Sequence, residues 1–121
     1  MTVLDGQAQA VAEAKQGYVG MKCPECGKPF APTHPNQMFC TTPHRKDFLN
    51  RQTVRGAKLT PLVMASRITR GGSRGDTLTG KRARQDAEYL INKWVDDDRR
   101  AGRMSMVDYV ALCFRKGFTR A

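Results

Sequence analysis

Apolar residues occur first in short clusters between prolines and glycines, and later at helical spacing. Tyr18–Met21, Phe30 and Met38–Phe39 are such clusters, and they predict tight turns with at most a small hairpin over residues 18–40. Thr41, Thr42 and Pro43 then form a helix start, with Thr42 as N-cap and Pro43 in the first helical position. That helix is expected to run through Phe48 and Leu49 to about Arg55 and to stop at Gly56. Thr60-Pro61 repeats the start signal for a segment over Leu62–Arg70, which Gly71-Gly72 closes. Residues 71–80, GGSRGDTLTG, read as a flexible basic linker. Ala83, Ala87, Leu90, Ile91, Trp94 and Val95 share one helical face, and their helix should end between residues 100 and 102. Ser105 can cap a last helix, with Asp108 three residues on, an apolar face of Met106, Val110, Cys113 and Phe114, and Gly117 as its stop. Residues 1–17, with Leu4, Ala8 and Val11 near helical spacing, form a short helix or an arm. No internal repeat is visible.

This pattern gives a small α-rich protein in four parts: an arm at 1–20, a compact module at 21–57, a basic helix and linker at 58–84, and a helical hairpin at 85–121. A chain of 121 residues buries only about two thirds of the surface its unfolded form exposes, so a cross-link would help it. No apolar run reaches the ~18 residues of a membrane span, and residues 1–20 lack the layout of a secretory signal. The expected location is therefore the cytoplasm. In that reducing compartment four cysteines are ligands or buried thiols rather than disulfides.

The net charge of +10 sharpens the picture because it is concentrated. Residues 43–84 carry eleven Lys and Arg against Asp47 and Asp76, while the rest of the chain is close to neutral. A solubilising surface needs no such concentration, whereas an anionic partner does. Arg45, Lys46, Arg51, Arg55, Lys58, Arg67, Arg70, Arg74, Lys81, Arg82 and Arg84 are accordingly candidate nucleic-acid contacts. Arg51, Arg55 and Lys58 can form one stripe while Phe48 faces inward. Near-neutral residues 85–121 suggest a second role. Trp94, Met106, Tyr109 and Phe114 belong to a face that is either core or a protein interface.

The candidate chemistry is Cys23, Cys26, Cys40 and His44. The C-x-x-C turn lets two thiolates reach one ion, and Gly27 keeps it tight. Cys40 and His44 lie four apart at a helix start, where the dipole favours a thiolate. Four nitrogen or sulfur donors, with no carboxylate among them, point to one closed, structural, tetrahedral zinc ion. A redox pair would need a strand-to-helix context, and here the C-x-x-C precedes a Pro-rich loop.

CPECGKPF followed by MFCTTPHRKDF resembles the treble-clef zinc fingers of many small bacterial and phage proteins. Those read C-P-x-C-G-x-x-F and then F-C-S-x-x-C-R at a helix start. The match covers about residues 21–51, with His44 in place of the family's usual cysteine and Thr42-Pro43 as a further departure. It implies a knuckle, a short hairpin and a helix, here followed by three further helices. It does not imply one function, because such fingers serve nucleic-acid binding, protein contacts and nuclease scaffolds.

Three readings follow. In the first, zinc orients basic elements for phosphate contact, DNA ahead of RNA, in a regulatory or architectural factor related to transcription in a bacterial or phage setting. In the second, the C-terminal helices dock on a transcription component or another host protein. In the third, His34 serves a nuclease; Asp47 and Asn50 follow on the helix but no second histidine does. Outside that reading His34 is a solvated loop residue, Cys113 a buried thiol and Asp96-Asp97-Asp98 a solvated helix end that pairs with Arg99, Arg100 and Arg103. No other catalytic set is visible, and the glycines of GGSRGDTLTG are not spaced as a phosphate loop. A non-enzymatic protein is expected.

Overall fold

Gly27 determines how the chain first turns back on itself. It adopts φ +74°, a region open to glycine at little cost, and its N–H donates to the Cys23 carbonyl at 2.7 Å. The Cys23 N–H in turn donates to the Lys28 carbonyl at 3.0 Å. This knuckle joins strands β1 (Met21–Lys22) and β2 (Pro29–Phe30), which pair antiparallel with Met21 opposite Phe30. The computed structural model describes residues 21–70 and 75–117. The expected arm at 1–20, along with Arg74, lies outside them.

Three helices follow the hairpin: α1 (Thr42–Ile68), α2 (Thr77–Arg100) and α3 (Met106–Arg115). Two corrections to the sequence reading concern α1. Its cap is Thr41, whose carbonyl accepts from the Arg45 N–H at 3.2 Å and whose hydroxyl accepts from the His44 N–H at 3.3 Å. It also runs unbroken through Gly56 and Thr60-Pro61, so two helices rather than three follow the one bearing His44. An interior glycine costs only about 1 kcal/mol and an interior proline about 3, which a packed helix can absorb. The Gly-rich stretch is likewise shorter than its composition suggests. The Asp76 carboxylate accepts from the Thr79 N–H at 3.0 Å and the Thr79 hydroxyl at 2.6 Å, and this starts α2 inside the expected linker.

The chain divides into two compact units, one of Met1–Phe48 with Asp98–Ala121 and one of Leu49–Asp97. In the first unit Cys23, Met38, Phe39, Phe48 and Leu112 form the core, with Met104, Met106, Tyr109 and Cys113 packed against it. Phe48 is 1% exposed, with its ring 5.2 Å from Phe39 and 4.8 Å from Tyr109. Burial of that ring is worth about 1.5–3 kcal/mol. The turn into α3 is fixed by the buried Asp98, which accepts from the Arg103 guanidinium at 2.7 Å, so this acid is buried and paired rather than solvated. Ser105 caps α3 as expected, accepting from the Asp108 N–H at 3.1 Å.

The finger and this turn interlock. The Met104 N–H donates to the Pro24 carbonyl at 3.1 Å, and a Cβ on Gly27 would stand 2.2 Å from the Gly102 carbonyl oxygen. The Lys116 ammonium donates to the Pro35 carbonyl, so the end of α3 also holds the loop before Cys40.

In the second unit the half-buried positions of α1 include Arg55, Leu59, Leu62 and Ser66, with Thr69 just past its end, at alternating steps of four and three. On α2, Gly80, Ala83 and Ala87 are buried and Leu90 and Trp94 half-buried, again at steps of three and four. The helices meet closely where a Cβ on Gly80 would lie 1.7 Å from the Thr69 hydroxyl. Ile91 and Val95, assigned to the same apolar face from sequence, are 40% and 52% exposed because the buried stripe is narrower than the apolar one.

Two glycine substitutions test this architecture in opposite directions. Gly27→Ala should lower stability by about 2 kcal/mol or more, since it adds both left-handed strain and a backbone clash. Gly56→Ala should raise it by about 0.5–1 kcal/mol, because nothing lies within 4 Å of its added methyl in a continuous helix. Urea midpoints of the metal-loaded protein measure both; a destabilising Gly56→Ala would contradict the unbroken α1.

Candidate metal centre and basic surface

Cys23 and Cys26 reach the site from the knuckle, Cys40 from the residue before the Thr41 cap, and His44 from the first turn of α1. All four donor atoms lie within 4.8 Å of one another. Cys26 Sγ and Cys40 Sγ are 3.8 Å apart, Cys23 Sγ and His44 Nδ1 3.9 Å, and Cys40 Sγ and His44 Nδ1 3.1 Å. A tetrahedron with metal–sulfur bonds of ~2.3 Å has sulfur–sulfur edges of ~3.8 Å, so the observed separation accommodates one ion. These residues can hold a metal.

The electrostatics of the cluster lead to the same conclusion. Burial raises the Cys23 thiol, but backbone N–H groups of Cys40, Cys26 and Glu25 and the His44 ring outweigh it and bring the pKa to about 7. Cys40 is pushed up to about 11, by burial first and then by its contacts with Cys23 and Cys26. Two negative sulfurs so close repel, and a divalent cation between them reverses that sign.

The remaining histidine, His34, is exposed, and its carbonyl accepts from the Gln37 N–H at 3.2 Å. It is not part of the ligand cluster. Cys113 packs on the core beside Tyr109, whose hydroxyl is raised to about 12 by burial and by that neighbouring thiol.

The basic candidates divide into two groups. Arg45, Lys46, Lys58, Arg67, Arg70, Lys81 and Arg84 are exposed, and none is ion-paired among the described residues. Arg82 is exposed but lies 3.7 Å from Asp86. Arg51 and Arg55 are half-buried, and the Arg55 guanidinium sits 5.4 Å from the centroid of the Trp94 ring. The expected stripe of Arg51, Arg55 and Lys58 is therefore not a single solvent face: its two arginines lie toward the half-buried side and Lys58 does not. Of the residues considered for a protein interface, Met106 and Tyr109 pack on the core, Trp94 is half-buried under Arg55, and Phe114 is 62% exposed. The exposed apolar stripe on α3 is instead Val107, Val110 and Phe114, which sequence spacing alone could not separate from the core face.

Among the described residues no helix is long and apolar enough to cross a membrane. Comparison with protein-family models, with curated proteins and with solved structures found no match for this chain.

Metal binding must displace thiol protons. At pH 7 the Cys40 proton is in place and that of Cys23 is about half in place, so at least one proton per ion should be released. The number should rise between pH 7 and pH 6 as Cys23 fills, and apparent affinity should fall by about tenfold or more over that unit. Zinc titration of the metal-free protein in weakly buffered indicator solution measures the release. A value below one proton per ion at pH 7 would contradict this ligand set.

Proposed function

We propose that the protein is a zinc-stabilised nucleic-acid-binding factor of regulatory or architectural type, with a treble-clef-like finger at its head. The zinc assignment follows from the donors: three sulfurs and one imidazole nitrogen suit a closed structural site and leave no position for substrate. The treble-clef reading is supported by the order of knuckle, hairpin and helix and by the C-P-x-C-G-x-x-F resemblance. One observation carries the function. Seven exposed cations without a carboxylate partner among the described residues lie on or beside helices α1 and α2, and α1 begins at the metal ligands. A metal ion at the head of α1 fixes where its first basic residues, Arg45 and Lys46, are displayed. Duplex DNA is the preferred partner, and its recognition depends mainly on phosphate contact.

A second reading is favoured by the exposed stripe of Val107 (79%), Val110 (42%) and Phe114 (62%) on α3. An adaptor docking on a transcription component through that stripe would bind protein instead, with no dependence on the basic residues. The nuclease reading has only the exposed His34 in its favour.

Electrophoretic shift of random duplex and single strands by the zinc-loaded protein tests the proposal. Neutralisation of about six phosphates should lower affinity by ~10³-fold between 50 and 200 mM salt. Binding that ignores salt, or no binding at low salt, overturns it.

A further inference from the structure

The second unit contains an open cleft of about 470 Å³ between the last turn of α1 and the first turns of α2, within the ~300–1,000 Å³ range of small-ligand sites. Its cationic lining is Arg70 from the end of α1 and Lys81 and Arg84 from α2, and Ser66 and Thr77 add hydroxyls. No carboxylate among the described residues lines it. The nearest acid along the chain, Asp76, is turned onto the N–H and hydroxyl of Thr79. The Thr69 hydroxyl donates back to the Ala65 carbonyl at 3.0 Å, so its proton is already engaged within α1. Gly80 is buried at the base, where any side chain would strike Thr69.

Three cationic residues, one just past the end of α1 and two on α2, line this concavity, and none of them is ion-paired among the described residues. Like charges gathered without a counter-ion oppose folding, and one multiply charged anion offsets all three. Arginine side chains grip phosphate oxygens in a bidentate fork, while lysine supplies a point charge.

We propose that this cleft is a phosphate-binding pocket in which Arg70, Lys81 and Arg84 hold one phosphate group. In the context of the nucleic-acid reading, on which this identification of the ligand rests, that group is a backbone phosphodiester, and the pocket sets the register of the strand on the protein. Free inorganic phosphate carries the same chemistry and serves as the direct probe.

The test uses the full zinc-loaded chain in two arms. In the first, amide NMR spectra are recorded during titration with inorganic phosphate against sodium chloride of equal ionic strength. Phosphate-specific shifts should concentrate at Ser66, Thr69, Thr77 and Gly80. In the second, oligonucleotide affinity is measured across salt for Arg70→Gln, Lys81→Gln, Arg84→Gln and the control Arg82→Gln. Arg82 lies outside the cleft with its side chain 79% exposed, and its substitution removes the same charge. Each lining variant should lower the salt slope by about one and abolish the local phosphate shifts, while Arg82→Gln keeps those shifts and Arg84→Lys restores part of them. Helical circular dichroism confirms that each variant folds. Shifts spread evenly over every exposed Lys and Arg, or an Arg82→Gln effect equal to that of Arg84→Gln, overturn the pocket. Normal oligonucleotide binding by the lining variants also overturns it and leaves the wider function standing. Local phosphate shifts without oligonucleotide binding uphold the pocket and overturn the wider function.

Discussion

Three thiols and an imidazole brought within 4.8 Å of one another repel as soon as more than one sulfur is ionised, and the first unit depends on how that repulsion is resolved. Burial first, and then the contacts with Cys23 and Cys26, raises the Cys40 pKa, while the backbone N–H groups around Cys23 favour ionisation of only that one sulfur. A divalent cation turns the same crowding into attraction and cross-links the knuckle, the loop before α1 and the helix itself. Cys23, Cys26 and Cys40 also belong to the apolar cluster around Phe48, so the site and the core are one structure. A core this small has little to hold it closed without such a link.

The site's position at the head of α1 connects this local chemistry to a long element. Within the second unit the helix is unbroken through Thr60-Pro61, so it carries Lys58 and Arg67 in a fixed angular and axial relation that a break there would remove. Arg51 and Arg55 are half-buried, with the Arg55 guanidinium over the Trp94 ring, and so are less open to a partner than Arg45 or Lys58. The remaining exposed cations are those that only solvent or a polyanion can satisfy.

How far the sequence could be read differs from element to element for identifiable physical reasons. The ligand set was legible because metal coordination demands particular residue types at short spacing, and all four predicted donors converge. The Ser105 cap was legible because a cap acts within one turn. Gly56 and Pro61 misled because their cost is local and modest, and a helix of 27 residues runs through both. Asp76 was hidden within a linker-like composition, where its capping role shows only once the Thr79 N–H points at it. The face of α3 that turns inward was ambiguous because apolar residues surround that helix, and only contact with the core at Phe48 separates Tyr109 from Phe114.

The interlock of the knuckle with the turn before α3 has a consequence for how the protein is made. A ribosome delivers the three ligand cysteines early, yet Met104, which binds the Pro24 carbonyl, and Leu112, which closes the core, are delivered near the end. For most of synthesis the thiols are therefore present without the hydrophobic cover that completes their surroundings. A metal ion taken up by the four donors would hold the nascent finger together, with its thiols reduced, until its last-made partner arrives.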